Sequence, residues 1–235
     1  MRIGYAAIMI LAVAIGFAVS HRTQSSLALT WQQKLGLSLG AFCGAMVGAK
    51  LPFLFEDWER FLDGTAWFSD GKTILVGLVG GYLGVEAAKW TMGLTIRTGD
   101  TFVIPVALAI AVGRWGCFYA GCCFGLPTAL PWGVVFPAVD ELPRHPTQLY
   151  EFVFHVSAAA LFVWFQGKGW FRFEQIKLYI ILYAAYRFVS EFYRPEAVYP
   201  IGLTGYQLAS LVIIGLFLWL WYRSQRELQG QPPVS

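Results

Sequence analysis

The chain has 235 residues, of which 57% are hydrophobic, 17% aromatic and only 13% charged, and its mean hydropathy is +0.56. A soluble domain carries about a quarter charged residues, so this one has too little polar surface to cover itself in water. The net charge of +3 comes without a basic block or a Lys/Arg-rich tail, which excludes a nucleic-acid partner and leaves a bilayer as the solvent the composition requires.

A membrane helix needs about 20 mostly apolar residues. On that criterion the sequence predicts an all-α, polytopic membrane protein with about seven transmembrane helices, near residues 3–20, 35–54, 73–93, 101–119, 149–166, 176–193 and 204–222. The first span follows a single Arg2 and is trailed by small residues at Ala18 and Ser20, as a signal peptide would be. The apolar spans behind it favour an uncleaved first helix. The connection 55–72 is mainly acidic, with Glu56, Asp57, Glu59, Asp63 and Asp70.

The third span stacks Gly77, Gly80, Gly81 and Gly84 at helical spacing. Such a stripe lets helix backbones approach closely in lipid, or it presents bare backbone to a ligand cavity. Glu86 and Lys89 follow, three residues apart. They are expected to pair with each other, with Lys89 snorkelling to the interface.

The fourth span carries Arg114 in apolar surroundings. The 118–148 segment after it contains Pro127, Pro131, Pro137, Pro143 and Pro146, so one continuous helix is not expected there. Cys117, Cys122 and Cys123 form a C-x4-C-C pattern, with Cys43 far upstream. This is not a zinc-ribbon spacing. The three are open to a packing role, to thiol chemistry or to soft-metal ligation.

Glu151 opens the fifth span. In the sixth, Tyr183, Arg187 and Glu191 recur one turn apart on one face, with Arg194 just beyond. Residues 1–222 read as one transmembrane domain, and 223–235 as a disordered tail.

An odd number of spans puts the termini on opposite sides. Arg22, Lys34, Arg97, Lys168, Arg172, Arg223 and Arg226 then fall on the C-terminal side. Lys and Arg favour the cytoplasm, so the expected topology is N-terminus out and C-terminus in, with 118–148 in the periplasm.

A charge at membrane depth costs about 2.5–3.5 kcal/mol on insertion scales, so it persists only when paired or when facing a polar cavity. Arg114 and Arg187 lie at similar depth on different helices, toward the outer face. Guanidinium forks match phosphate oxygens in pairs. The phosphate at hand in a membrane is a phospholipid head group.

Several of these segments, in this order, resemble the prolipoprotein diacylglyceryl transferase family. They are Gly44-Ala45-Met46-Val47-Gly48-Ala49-Lys50-Leu51, Gly80-Gly81-x-x-Gly84, Asp100 with Pro105, Gly113-Arg114-Trp115-Gly116-Cys117-Phe118 through Gly125, Arg144-His145-Pro146-Thr147-Gln148-Leu149-Tyr150-Glu151, and Tyr183-x-x-x-Arg187-x-x-x-Glu191-x-x-Arg194. The resemblance implies a bacterial inner-membrane enzyme. It would move diacylglycerol from phosphatidylglycerol to the lipobox cysteine of a preprolipoprotein, releasing glycerol phosphate, with no metal or organic cofactor.

Arg114 and Arg187 would hold the phosphate and stabilise its charge. Glu191 would orient Arg187, and His145 or Glu191 would take the thiol proton. Arg194, Tyr183, Gly80, Gly81, Gly125, Gln148, Tyr150 and Glu151 would line the substrate site. The family's usual His before the paired glycines is Val79 here. Its Asn after Gly-Arg-x-Gly is Cys117, and its later Asn and Glu are Ala120 and Cys122. Two other readings stay open: a paralogue with the same lipid site and a different acceptor or thiol chemistry, and a non-catalytic lipid-binding or transport protein.

Overall fold

The computed structural model describes residues 2–54 and 73–229. The acidic connection 55–72 and the end of the tail, 230–235, lie outside the described residues. Helices occupy all seven expected regions: α1 (Arg2–Thr23), α2 (Trp31–Leu54), α3 (Ile74–Thr91), α4 (Asp100–Ala120), α5 (Thr147–Lys168), α6 (Gln175–Ser190) and α7 (Gly205–Gln229). By length and composition α1, α2, α4, α5 and α7 can each cross a membrane. The shorter α3 and α6 have 18 and 16 residues. The protein is thus an all-α membrane protein, with one small addition among the described residues. In the Pro-rich segment, β1 (Val134–Val135) pairs antiparallel with β2 (Pro143–Arg144), Val134 opposite Arg144.

The chain forms two compact units, Ser26–Arg97 and a discontinuous one formed by Met1–Ser25 with Thr98–Ser235. The first contains α2 and α3, joined along a seam of small residues. A Cβ built on Gly80 would land on the carbonyl oxygen of Gly44, and one on Gly84 on that of Gly40. A Cβ on Gly48 would come within 2.6 Å of the Val76 carbonyl oxygen. The glycine stripe therefore serves helix packing here, the first of its two readings. Glu86 and Lys89 pair at 3.0 Å, as expected. Gly80→Leu should lower the unfolding temperature in detergent, because overpacking costs about 1–3 kcal/mol or more. A melting curve matching that of the parent would refute this account of the seam.

In the discontinuous unit α4 is central, with α1 and α5 packed on it and α6 against α7. Pro105 lies inside α4 and cannot donate to the carbonyl of Thr101. The Thr23 hydroxyl of α1 donates to that carbonyl at 2.7 Å, so no acceptor is left bare in an apolar environment. The Asp100 carboxylate accepts the backbone N–H groups of Phe173, at 2.6 Å, and Gln175, at 3.1 Å, and so fixes the start of α6.

α7 extends to Gln229, so residues 223–229 of the expected tail are helical. Arg223 pairs with Glu227 one turn on, at 3.4 Å, and Ser224 donates to Glu174 at 2.6 Å. These interactions carry the helix past its apolar stretch.

Candidate active site

Two helix faces meet in the interior of the discontinuous unit. On α5, Glu151 and His155 are one turn apart. On α6, Tyr179, Tyr183 and Arg187 follow the same rule, and Glu191 continues the line into a short 3-10 turn, Glu191–Tyr193. All six are buried. The faces interlock by hydrogen bonds: Tyr183 donates its hydroxyl to Glu151, and Tyr179 meets Nδ1 of His155 at 2.8 Å.

Glu151 is the hub. Its Oε1 lies 2.7 Å from Nη2 of Arg114, which comes from α4, and its Oε2 lies 3.2 Å from Nη2 of Arg194. Arg187 pairs with Glu191 at 2.7 Å, and the Thr204 hydroxyl donates to the other Glu191 oxygen at 3.3 Å. The Arg187 guanidinium also lies over the ring of Tyr206, 5.0 Å from its centroid.

Three guanidiniums face two carboxylates here, which leaves one positive charge with His155 neutral. The cluster and its edge also hold polar atoms with nothing to bond, guanidinium donors among them. More than nine in ten buried polar groups are ordinarily satisfied. Among the described residues, seven buried side-chain polar atoms lack a partner. Six of them belong to Arg114 (Nε), Arg187 (Nη1), Arg194 (Nε), His155 (Nε2), Gln148 (Oε1) and Tyr186 (hydroxyl). An excess of positive charge with free N–H groups is the chemistry of an oxyanion site.

The loop beside the cluster is held tightly. Gln148 donates to the carbonyl of Cys122 at 2.5 Å, and Thr147 to that of Cys123 at 2.6 Å. Gly125 has no room for a side chain: a Cβ would come within 2.5 Å of the Tyr193 carbonyl oxygen and 2.7 Å of the His145 Cβ. His145 makes its hydrogen bond at Nδ1 with the Tyr150 hydroxyl, 3.1 Å away, and Trp132 donates to the same hydroxyl at 2.8 Å. Arg144 pairs with Asp140, and that hydrogen bond holds the Asp140 carboxyl below the usual range.

The structure therefore gathers Arg114, Arg187, Arg194, Tyr183, Glu151 and Glu191 into one cluster. Gln148 and Gly125 organise the adjoining loop, and His145 and Tyr150 brace each other. Gly80 and Gly81 lie in the α2–α3 unit. Sequence reasoning missed His155, whose Nε2 sits 3.8 Å from Glu151. The signal was available, since His155 stands four residues after Glu151.

Together, the apolar helices and this net-positive interior cluster define a polytopic helical membrane protein. Sequence comparison makes that class specific. Residues 3–223 match the family described as prolipoprotein diacylglyceryl transferase. A phosphatidylglycerol–prolipoprotein diacylglyceryl transferase of Clostridium tetani is 30% identical over 232 residues, covering 92% of this chain and 91% of the relative. One from Coxiella burnetii is 32% identical, covering 92% and 88%. One from Legionella pneumophila is 32% identical over 196 residues, covering 79% and 75%. The chain belongs to the prolipoprotein diacylglyceryl transferase family.

Proposed function

We propose that this transferase moves the diacylglyceryl group of phosphatidylglycerol to the lipobox cysteine thiol of a preprolipoprotein, in the bacterial inner membrane. The net-positive cluster around Glu151, with its unsatisfied guanidinium N–H groups, carries this reading. It has the chemistry to hold a phosphodiester at membrane depth. All seven helices would cross the bilayer, with the C-terminus in the cytoplasm, following the Lys/Arg distribution.

In the reaction, the acceptor thiol gives up its proton and its sulfur attacks the glyceryl carbon that carries the phosphate. The C–O bond breaks, the electron pair stays on the phosphate oxygen, and glycerol phosphate leaves. Arg114 and Arg187 stabilise the charge that gathers on that oxygen. Glu191 orients Arg187, and Tyr183 positions Glu151, which in turn fixes Arg114 and Arg194. His145, tethered at Nδ1 by Tyr150, is the candidate acceptor of the thiol proton. Tyr150, Gln148 and Gly125 shape the loop where the acceptor would approach. No step needs a cofactor.

The test is complementation of a transferase-depleted strain, with mass spectrometry of a lipobox peptide recovered from its membranes. The expected result is growth and a peptide heavier by one diacylglyceryl group. Good expression with an unmodified peptide would refute transfer to this acceptor. Transfer to another thiol in the same membranes would favour the paralogue reading, to which Cys117, Cys122 and Cys123 beside Arg114 lend support.

A further inference from the structure

The three cysteines next to Arg114 have no part in that reaction, and the fold brings them together by an identifiable device. α4 ends in Gly121 at φ +68°, with Gly121 N–H bonded to Phe118 O and Cys122 N–H to Cys117 O, both at 3.1 Å. This is the Schellman arrangement, in which a left-handed glycine folds the chain back onto the last helical turn. It returns Cys122 to the side of Cys117. Cys123 then adopts φ +60°, a conformation that costs an ordinary L-residue about 1–2 kcal/mol. As a result, the three sulfurs lie within 4.8 Å of one another.

Packing does not account for this arrangement. Free cysteine in a packing role is among the most buried residue types, yet Cys123 is exposed and Cys117 and Cys122 are only half-buried. The loop is also locked from α5, where Gln148 and Thr147 hold the carbonyls of Cys122 and Cys123. The Arg114 guanidinium, 4.0 Å from the Cys117 sulfur, supplies positive charge beside the cluster.

We propose that Cys117, Cys122 and Cys123 form a three-thiolate site for a soft d10 cation, Cu(I) or Zn(II), at the C-terminal end of α4. A metal–sulfur bond of about 2.3 Å places three ligands around one ion about 4 Å apart, so the sulfurs need to close by less than about 1 Å. An all-sulfur donor set selects soft ions over Mg(II), Ca(II) or Mn(II). Binding exchanges three S–H protons for metal–sulfur bonds, and the protons go to solvent. The product carries two negative charges with Cu(I) and one with Zn(II). No electron is transferred. Because exposed Cys123 forms one corner, the ion reaches the site from the surface.

The experiment uses the full chain in detergent under anaerobic, reducing conditions, titrated separately with Zn(II) and with Cu(I). The expected result is one equivalent bound per chain and protection of three of the four thiols from a thiol reagent. X-ray absorption should give three sulfur neighbours at about 2.3 Å. Tight binding of one ion and not the other identifies the ion. Cys117→Ser, Cys122→Ser and Cys123→Ser should each weaken binding by more than the roughly 10–100-fold that losing an outer-sphere partner costs. Cys43→Ser should leave it unchanged. The absorption and protection measurements need no variant, so a misfolded mutant does not spoil the test. Failure of both ions to bind the fully reduced chain would overturn the proposal, as would equal binding by the triple serine variant. Persistent loss of two hydrogens from the protein mass would overturn it too, pointing to a disulfide instead.

Discussion

Arg114→Ala combined with Arg187→Ala is expected to abolish measurable transfer, with a loss exceeding about a thousandfold. Removing one donor that stabilises developing charge typically costs about 10²–10³ in rate, and here two are removed from one site. The effect should appear in binding as well as in turnover, because both guanidiniums would meet the phosphate before the C–O bond breaks. The measurement is transfer to a lipobox peptide alongside phosphatidylglycerol binding, in the parent and the double variant. Undiminished phosphatidylglycerol binding by the double variant would remove these arginines from the phosphate site. A guanidinium offers a planar pair of donors that an ammonium lacks, so Arg187→Lys should recover little of the loss.

The second large effect is on stability. Glu151→Ala leaves Arg114 and Arg194 buried with no carboxylate between them, and breaking a buried ion pair from one side costs about 3–5 kcal/mol. The Tyr183 hydroxyl and Nε2 of His155 lose their neighbour in the same step. A clear drop in unfolding temperature in detergent is expected, along with loss of activity. Glu151→Gln keeps an acceptor for the hydroxyl and should destabilise less while still impairing transfer. If Glu151→Ala melts with the parent, Glu151 is not the hub described above.

Much of the fold was legible because lipid imposes a strict length and composition on each helix. A helix stands wherever an apolar run of membrane length was read. Of the site, the α6 face could be read directly: Tyr183, Arg187 and Glu191 repeat at one-turn spacing, and ionisable groups in an apolar span draw attention by their cost. The partnership of Glu151 could not be read this way. It opens α5 near an expected interface, where a carboxylate is unremarkable, and only packing shows that Arg114 and Arg194 converge on it. The one-turn spacing from Glu151 to His155 was visible, but it gains meaning only once Glu151 is seen as the hub. A single imidazole in an aromatic helix looks like core until the Tyr179 hydroxyl is seen against it.

The thiol cluster and the small β pair depended on loop geometry. The C-x4-C-C spacing leaves several pairings open, and the left-handed turn at Gly121 selects one. The glycine stripe of α3 carried two readings, and the seam with Gly40, Gly44 and Gly48 of α2 decides for packing.

The bond from Thr23 to the Thr101 carbonyl also bears on the order of assembly. It joins residues 78 apart in sequence, and the whole α2–α3 unit is synthesised between them. That unit closes through neighbouring segments and needs only local encounters. The larger unit cannot complete its first helix contact until α4 has emerged, and such distant closures are slower than local ones. Once α4 has emerged, Pro105 leaves the Thr101 carbonyl without its i+4 donor until Thr23 reaches it. α1 would thus wait in the bilayer as a preplaced partner, and the capture of α4 by Thr23 would mark the commitment of the larger unit to its native helix arrangement.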